Sequence, residues 1–336
     1  MTPPAPDGAA RLVERAGLGR LEALTPLAGG ANNRVLRADT AGGPAVLKLY
    51  FHHPADPRDR MGAEYAFLTA AWDGGVRCVP RPLAADPARH MALYGFVPGT
   101  RPAAATAALV DQAAGFIAAL QSLRSAAGHL PPGSEACFTI AAHRATVERR
   151  LARLAALSPG TDLHAAASRL VRDEALPRFH AITTPADGDE PLPPERRCLS
   201  PSDFGFHNAL VDGNGRAVFV DFEYAGWDDP AKLVGDFFHQ PAVPVTMDHY
   251  PAVRDRIAAL FPAPAATARR CDAVMPLYAL KWVAILLNDF LPTGGSRRAF
   301  SAGHETEAQT EARLHRQLDK AHGALARLAT LPAFPA

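Results

Sequence analysis

The sequence predicts an α+β protein with two lobes: a small antiparallel β lobe with one helix, then a larger and mostly helical lobe that carries a β-hairpin. Three observations support this prediction. Short strand-like runs between Gly- and Pro-rich turns fill the first hundred residues, helical periodicity dominates the remainder, and Pro98-Gly99 separates the two as a hinge. We therefore place the lobes at residues 1–97 and 98–336 and expect a ligand to bind between them.

The first lobe is predicted to contain strands separated by turn residues typical of hairpins. A Gly-Gly-Ala-Asn-Asn turn follows the first strand, and an Ala-Gly-Gly-Pro turn follows the second. One helix is expected at 62–72, because Tyr65, Leu68 and Trp72 recur on one helical face. The predicted strands cover residues 21–27, 35–38, 45–51, 81–85 and 91–97.

The second lobe is predicted to be helical apart from one short β segment. Residues 209–211 and 217–220 are predicted to form two short strands, and the Asp-Gly-Asn-Gly sequence between them is a strong hairpin turn. Pro276 is expected to kink the long helix that contains it. The predicted helices cover residues 103–123, 135–157, 162–180, 269–290 and 305–331.

The composition excludes several classes of protein. With 336 residues, a formal net charge of +1 and 48% hydrophobic residues, the chain is neither a polybasic binder of nucleic acid or membranes nor a disordered protein. Four well-separated cysteines without a CxxC pair argue against a disulfide framework or a structural zinc site. There is no signal-peptide pattern and no run of roughly 18 apolar residues that could span a membrane. We expect a cytoplasmic protein.

Lysine is scarce in this chain. Only four of the 35 basic residues are lysines, namely Lys48, Lys232, Lys281 and Lys320. We expect Lys48, on the third predicted strand, to be functional. We attribute the other three lysines to the general bias of the chain towards arginine.

The most informative segment surrounds the hairpin. Asp203 and Asn208 lie in the loop before its first strand, and Asp221 ends its second strand. Because a hairpin returns the chain to its starting point, the three side chains are expected to converge. Magnesium prefers hard oxygen ligands, and phosphoryl transfer needs a carboxylate that orients the attacking hydroxyl. The segment is therefore suited to magnesium-dependent phosphoryl transfer.

This pattern resembles the catalytic segment of protein-kinase-like folds and, in detail, that of the aminoglycoside phosphotransferase and choline kinase superfamily. Further parts occur in the order found in that family, over roughly residues 21–238. They are the glycine-containing loop that covers the nucleotide (Gly29, Gly30, Asn32 and Asn33), the strand lysine (Lys48), its helix partner (Glu64), the hinge strand with Phe96, and the later Asp236.

The resemblance implies a small-molecule kinase that uses ATP (with GTP as the alternative nucleotide) and Mg²⁺ to phosphorylate a hydroxyl. Asp203 would be the catalytic base, and Asn208 and Asp221 would hold the metal. Lys48, positioned by Glu64, would contact the nucleotide phosphates. Asp236 would brace the catalytic loop.

One departure from the family leaves an alternative open. The family commonly has His-Gly before the catalytic Asp, whereas this chain has Pro201-Ser202. A nucleotide-binding pseudokinase or scaffold without transfer activity is therefore the second hypothesis. His207 is expected to pack in the loop rather than to act as a base.

The acceptor cannot be identified from the sequence. Asp228, Asp229 and Asp289 are candidate acceptor contacts and would suit a cationic compound. We expect a small-molecule hydroxyl acceptor and neither a nucleic-acid nor a membrane partner; the sequence gives no indication of the oligomeric state.

Overall fold

Five strands form one antiparallel sheet at the start of the chain, in the spatial order β1-β2-β3-β5-β4. The computed structural model describes residues 6–27, 33–53, 56, 58–158, 160–185, 190–292, 300, 305–328 and 331. The sheet confirms the antiparallel β-sheet expected in the first part of the chain. Its strands are β1 (Leu21–Pro26), β2 (Arg34–Thr40), β3 (Ala45–Leu49), β4 (Pro82–Asp86) and β5 (Met91–Gly95).

The two faces of this sheet are covered differently. Helix α1 (Ala9–Arg15), which the sequence analysis did not predict, packs Leu12 and Val13 against one face together with Leu47. Because side chains alternate along a strand, Lys48 points to the opposite face. That face looks towards helix α2 (Arg60–Asp73), whose first turn is capped by Asp59 through a 2.9 Å bond from the Gly62 amide.

The rest of the described chain is mostly helical, as predicted. The helix expected over 162–180 is interrupted by a π-helical turn at Leu170–Ala175. The helices are α3 (Ala107–Gln121), α4 (Ile140–Ala155), α5 (Asp162–Arg169), α6 (Leu176–Ala181), α7 (Pro230–His239), α8 (Tyr250–Ala258), α9 (Pro264–Leu286) and α10 (Glu307–Leu328).

Two short antiparallel pairs hold the predicted hairpin segment in place. Strands β7 (Ala209–Val211) and β8 (Ala217–Phe219) form the expected hairpin. Strands β6 (Cys198–Ser200) and β9 (Gly226–Asp228), which the sequence analysis missed, pair on either side of it. The pairing of β6 with β9 brings together the two ends of the segment that contains Asp203, Asn208 and Asp221.

The connection between the sheet and the helical region is fixed to the hairpin. Thr100 and Val211 exchange backbone hydrogen bonds of 3.1 and 2.8 Å. Gly99 has a φ of 144°, and a Cβ there would lie 2.7 Å from the Val211 carbonyl oxygen, so glycine is required. The segment expected as a hinge is therefore pinned directly to the strand that follows Asn208.

A single helix within the described residues, Pro264–Phe290, is long and apolar enough to cross a membrane. The sequence analysis overlooked it as a membrane-span candidate. In the structure 78% of its apolar window is buried inside the protein. It is therefore the central core helix, against which α7, α10 and α4 pack.

Candidate functional site

A buried lysine joins the sheet to the helical region. Lys48 Nζ lies 2.6 Å from Glu64 Oε2 on α2 and also donates to Asp221 Oδ1. Tyr50 donates a 2.8 Å hydrogen bond to the same Glu64 oxygen. Burial alone would lower the pKa of Lys48, but the charges of Asp221 and Glu64 raise it above its ordinary value. The ammonium therefore stays protonated at neutral pH.

The loop after β6 organises a second carboxylate. Asp203 Oδ1 lies 3.1 Å from His207 Nε2, and the Asn208 amide nitrogen donates to the Asp203 backbone oxygen at 2.9 Å and to Oδ2 at 3.3 Å. Burial would raise the pKa of Asp203, but the charge and hydrogen bond of His207 hold it below its ordinary value. Asp203 is therefore ionised at neutral pH, and its side chain remains 34% exposed.

The backbone is strained on both sides of this arrangement. Ser202 and Asp221 have φ values of 67° and 68°, in the left-handed region that non-glycine residues rarely occupy. Such conformations cost about 1–3 kcal/mol and persist only where the surroundings enforce them. They direct the Asp221 carboxylate towards Lys48 and set the chain direction immediately before Asp203.

The expected nucleotide-covering loop is only partly described. Gly29, Gly30 and Asn32 lie outside the described residues. Asn33 is 3% exposed and donates a 2.8 Å hydrogen bond to Glu223, two residues after Asp221. Phe96, at the end of the hinge strand, lies under the Arg37 guanidinium at 4.9 Å.

A cavity of about 390 Å³ opens beside Asp203. Its volume lies within the range of small-molecule sites. The walls come from the loop after β6 and from α4, α7, α9 and α10, and they include Asp203, His207, Lys281, Trp282, Asp289 and Lys320. A hydroxyl of a molecule bound here would have access to the Asp203 carboxylate.

Asp236 lies at the centre of a buried polar network under this cavity. It accepts hydrogen bonds from Lys281 Nζ at 2.8 and 2.9 Å and from Trp282 Nε1 at 3.0 Å. Lys232 Nζ lies 3.5 Å from Asp236 and 2.6 Å from Asp228. Trp282 in turn packs edge-on against His207, with 6.1 Å between the ring centroids.

The same lysine holds the residue that precedes the catalytic-loop carboxylate. Lys232 Nζ donates a 2.6 Å hydrogen bond to Ser202 Oγ, and Ser200 Oγ accepts the Ser202 amide at 3.0 Å. Lys232 and Ser202 are 1% and 5% exposed. The loop that has Pro201-Ser202 in place of His-Gly is therefore anchored from below by a buried ammonium.

Two of the three candidate acceptor contacts lie elsewhere. Asp228 and Asp229 are 0% exposed. Asp228 pairs with Lys232, and Asp229 pairs with Arg270 at 2.6 Å and His143 at 3.1 Å. Both are structural carboxylates, which corrects the expectation that they contact an acceptor. Asp289 does line the cavity, but it forms a 2.7 Å ion pair with Arg313.

Two lysines attributed to composition lie beside the candidate site. Lys232 and Lys281 are buried next to the loop that carries Asp203, and Lys320 lies at the cavity rim. The scarcity of lysine could have indicated their positions. Lys48 lies in the cluster with Glu64 and Asp221, and the other three lysines line the cavity beside Asp203.

The donor set suits a hard divalent cation. Asp221 offers a carboxylate that is 37% exposed and contacts Lys48 through Oδ1 alone. Asn208 uses its amide nitrogen for Asp203, which leaves its carbonyl oxygen as a ligand. A carboxylate and an amide oxygen, completed by phosphate oxygens, are typical of Mg²⁺.

Comparison with known proteins gives a consistent result for the sequence. A model of the phosphotransferase enzyme family matches residues 23–238, from β1 into α7. A search of curated proteins gives no match.

Solved structures show a similar fold over nearly the whole chain. A spectinomycin phosphotransferase in complex with ADP and spectinomycin has a TM-score of 0.57 at 13% identity, covering 96% of this chain and 99% of that one. A choline kinase from Cryptosporidium parvum has a TM-score of 0.52 at 11% identity, covering 92% and 91%. A macrolide 2'-phosphotransferase from Brachybacterium faecium has a TM-score of 0.52 at 19% identity, covering 90% and 100%.

Proposed function

The chain belongs to the phosphotransferase enzyme family, and on that premise we propose that it transfers the γ-phosphoryl group of ATP to a hydroxyl of a small molecule, with Mg²⁺ as the metal. The observation that carries the proposal is the position of the partly exposed Asp203 carboxylate at a cavity. The Lys48–Glu64–Asp221 cluster supports a triphosphate site nearby. The acceptor would occupy the cavity.

Asp203 would orient the acceptor hydroxyl and receive its proton. As the hydroxyl oxygen forms a bond to the γ-phosphorus, the bond from that phosphorus to the bridging oxygen breaks, and ADP leaves. The low pKa of Asp203 keeps it in the accepting form, and His207 and Asn208 fix its two oxygens. Catalysis would depend mainly on positioning and electrostatics.

Lys48, Asn208 and Asp221 would manage the charge of the nucleotide. Asn208 and Asp221 supply the oxygen ligands for Mg²⁺, whose role when bound is to neutralise charge on the phosphates. Lys48 would contact the α- and β-phosphates. Glu64, fixed by Tyr50, holds the ammonium in position at the end of its long side chain.

The test is product formation by the purified protein with Mg-ATP and a panel of sugars, amino sugars, amino alcohols and nucleosides. ADP release and a product heavier by one phosphoryl group are expected with at least one acceptor. Asp203→Ala and Asp221→Ala should each abolish this turnover, whereas Asp173→Ala, an exposed aspartate of the second lobe, should not. Unchanged rates in both site variants would contradict the proposal.

The alternative is a nucleotide-binding protein without transfer activity, favoured by Pro201-Ser202 in place of His-Gly. It predicts that Mg-ATP raises the melting temperature while no compound in the panel is phosphorylated. The anchoring of Ser202 by Lys232 favours the active enzyme, because it gives the catalytic loop a support that Pro201 does not provide.

A further inference from the structure

We propose that the acceptor is an uncharged polyhydroxylated compound and not a cation; this inference rests on the proposed function and specifies the class of substrate for the same cavity. Most of the charges that line the cavity are already paired within the chain. Four carboxylates reach its walls, those of Glu135, Asp203, Asp236 and Asp289.

Three of these carboxylates are paired with cations of the chain itself. Glu135 pairs with Arg150 at 2.5 Å, and Asp289 pairs at 2.7 Å with Arg313, which also contacts Glu305 at 2.9 Å. Asp236 is held by Lys281 and Lys232. The fourth, Asp203, is partnered by His207 and is the group that the acceptor hydroxyl itself would need.

The cations of the cavity are more numerous than these pairs require. Arg58 is neutralised by Asp56 through two contacts of 2.6 Å. Lys320 is exposed at the rim and forms no ion pair or hydrogen bond within the described part of the chain. Apart from Asp203, each carboxylate that lines the cavity therefore already has a cation partner, whereas Lys320 at the rim has no carboxylate partner within the described residues.

An ammonium group entering this cavity would find no carboxylate without a cation partner except Asp203, which the acceptor hydroxyl would occupy. To gain one it would have to displace Lys281, Arg150 or Arg313 from its pair, and a displaced, partly buried cation is costly. Left unpaired, the ammonium would lose hydration without compensation. Hydroxyl groups carry no such penalty.

Neutral hydrogen-bonding groups are present for a compound of this class. Asn288 Oδ1 and Gln317 Oε1 are shielded from solvent and have no hydrogen-bond partner within the described residues. Both side chains line the cavity, beside the apolar surface of Trp282 and Ile285. Once these side chains turn their amide groups into the cavity, the amides and the aromatic surface suit the hydroxyls and the C–H face of a sugar-like ring.

The test uses pairs of probes that differ in charge but hardly in size: glucose with glucosamine, and choline with the uncharged dimethylbutanol in which carbon replaces nitrogen. Affinities for the full chain are measured by calorimetry in the presence of Mg-ADP. We expect the uncharged member of a pair to bind at least tenfold more tightly. Equal or tighter binding of the cation, or no binding of either uncharged probe, would overturn the proposal.

A charge reversal at the rim provides the matched variant. Lys320→Glu supplies a free carboxylate. It should reduce the ratio of affinities between the uncharged and the charged probe of each pair at least fivefold, while Lys320→Gln should change this ratio less. An unchanged preference in Lys320→Glu would contradict the electrostatic argument. Phosphorylated product that disappears in Asp203→Ala tests the proposed function separately, so the two can fail independently.

Discussion

Replacement of Lys232 by Met is expected to lower the free energy of unfolding by about 3–5 kcal/mol, the range for removing one partner of a buried ion pair. Met keeps most of the aliphatic volume, so the loss comes from the missing ammonium. Asp236 retains Lys281 and Trp282 as partners, whereas Asp228 is 0% exposed and loses its 2.6 Å ion pair. The penalty therefore falls mainly on Asp228.

Ser202→Ala removes only the part of this network that reaches the catalytic loop. The lost contacts are a 2.6 Å hydrogen bond from a charged donor and a 3.4 Å hydrogen bond to the Ser134 backbone oxygen. Hydrogen bonds to charged groups contribute about 1.5–3 kcal/mol. We expect a loss in that range and a fall in kcat larger than any rise in KM, because Ser202 directly precedes Asp203, the residue proposed to orient the acceptor hydroxyl.

Urea unfolding followed by intrinsic fluorescence measures these differences. Lys320→Met is the matched control, since it makes the same replacement at an exposed lysine and should stay within about 0.5 kcal/mol of the parent protein. Adding Asp228→Asn to Lys232→Met should restore at least half of the lost stability, because it removes the lone buried charge. If Lys232→Met and Lys320→Met were equally stable, the reasoning would be refuted.

Three further predictions concern the proposed nucleotide site and a buried histidine outside the cavity. Lys48→Arg should reduce kcat at least tenfold in the ADP-release assay despite its unchanged charge, because a planar guanidinium does not fit the position of a compact ammonium; near-normal turnover would count against a phosphate contact. Asp221→Asn should raise the Mg²⁺ concentration needed for half-maximal activity at least tenfold, with the dependence on acceptor concentration nearly unchanged. Burial would lower the pKa of His143, but the hydrogen bond to Asp229 raises it to about 9. The protonated His143 therefore contributes about 3 kcal/mol to the free energy of unfolding, which is fully present below pH 6.5 and lost as the pH rises through 9. His143→Gln should abolish this pH dependence of the free energy of unfolding, measured by urea unfolding. The same pH dependence in the variant and the parent protein would contradict the prediction.

The sequence was sufficient for the parts of the fold that follow local rules. The β-hairpin and most of the strands and longer helices could be predicted because turn residues and hydrophobic periodicity are local properties. The pairing of Lys48 with Glu64 was expected from the family resemblance. The same hairpin geometry brings the residue before Asp221 back to Asn208, since the Val220 amide donates a 2.8 Å hydrogen bond to the Asn208 backbone oxygen.

The elements that were missed have physical reasons. Every residue of α7 from Pro230 to Phe238 is buried, so its charged residues Lys232 and Asp236 do not mark a solvent-exposed face. Its capping signal, Asp229 before Pro230, was nevertheless present. Helix α1 has only seven residues, too few for a period to be recognised.

The roles of the buried charges could not be predicted from sequence, because burial is a tertiary property. Asp228 and Asp229 have the same local context as turn residues, and only the packing of α7 and α9 shows that both are enclosed. The same packing converts Lys232 and Lys281 from apparent surface residues into partners of Asp228 and Asp236.

The distribution of lysines gives this protein a chemical handle. Lys48, Lys232 and Lys281 are 6%, 1% and 5% exposed, whereas Lys320 is exposed at the cavity rim. An amine-reactive reagent would therefore meet one accessible side chain besides the amino terminus. A fluorophore or photocrosslinker attached there would sit at the cavity entrance without an engineered cysteine, and could report the arrival of a ligand directly.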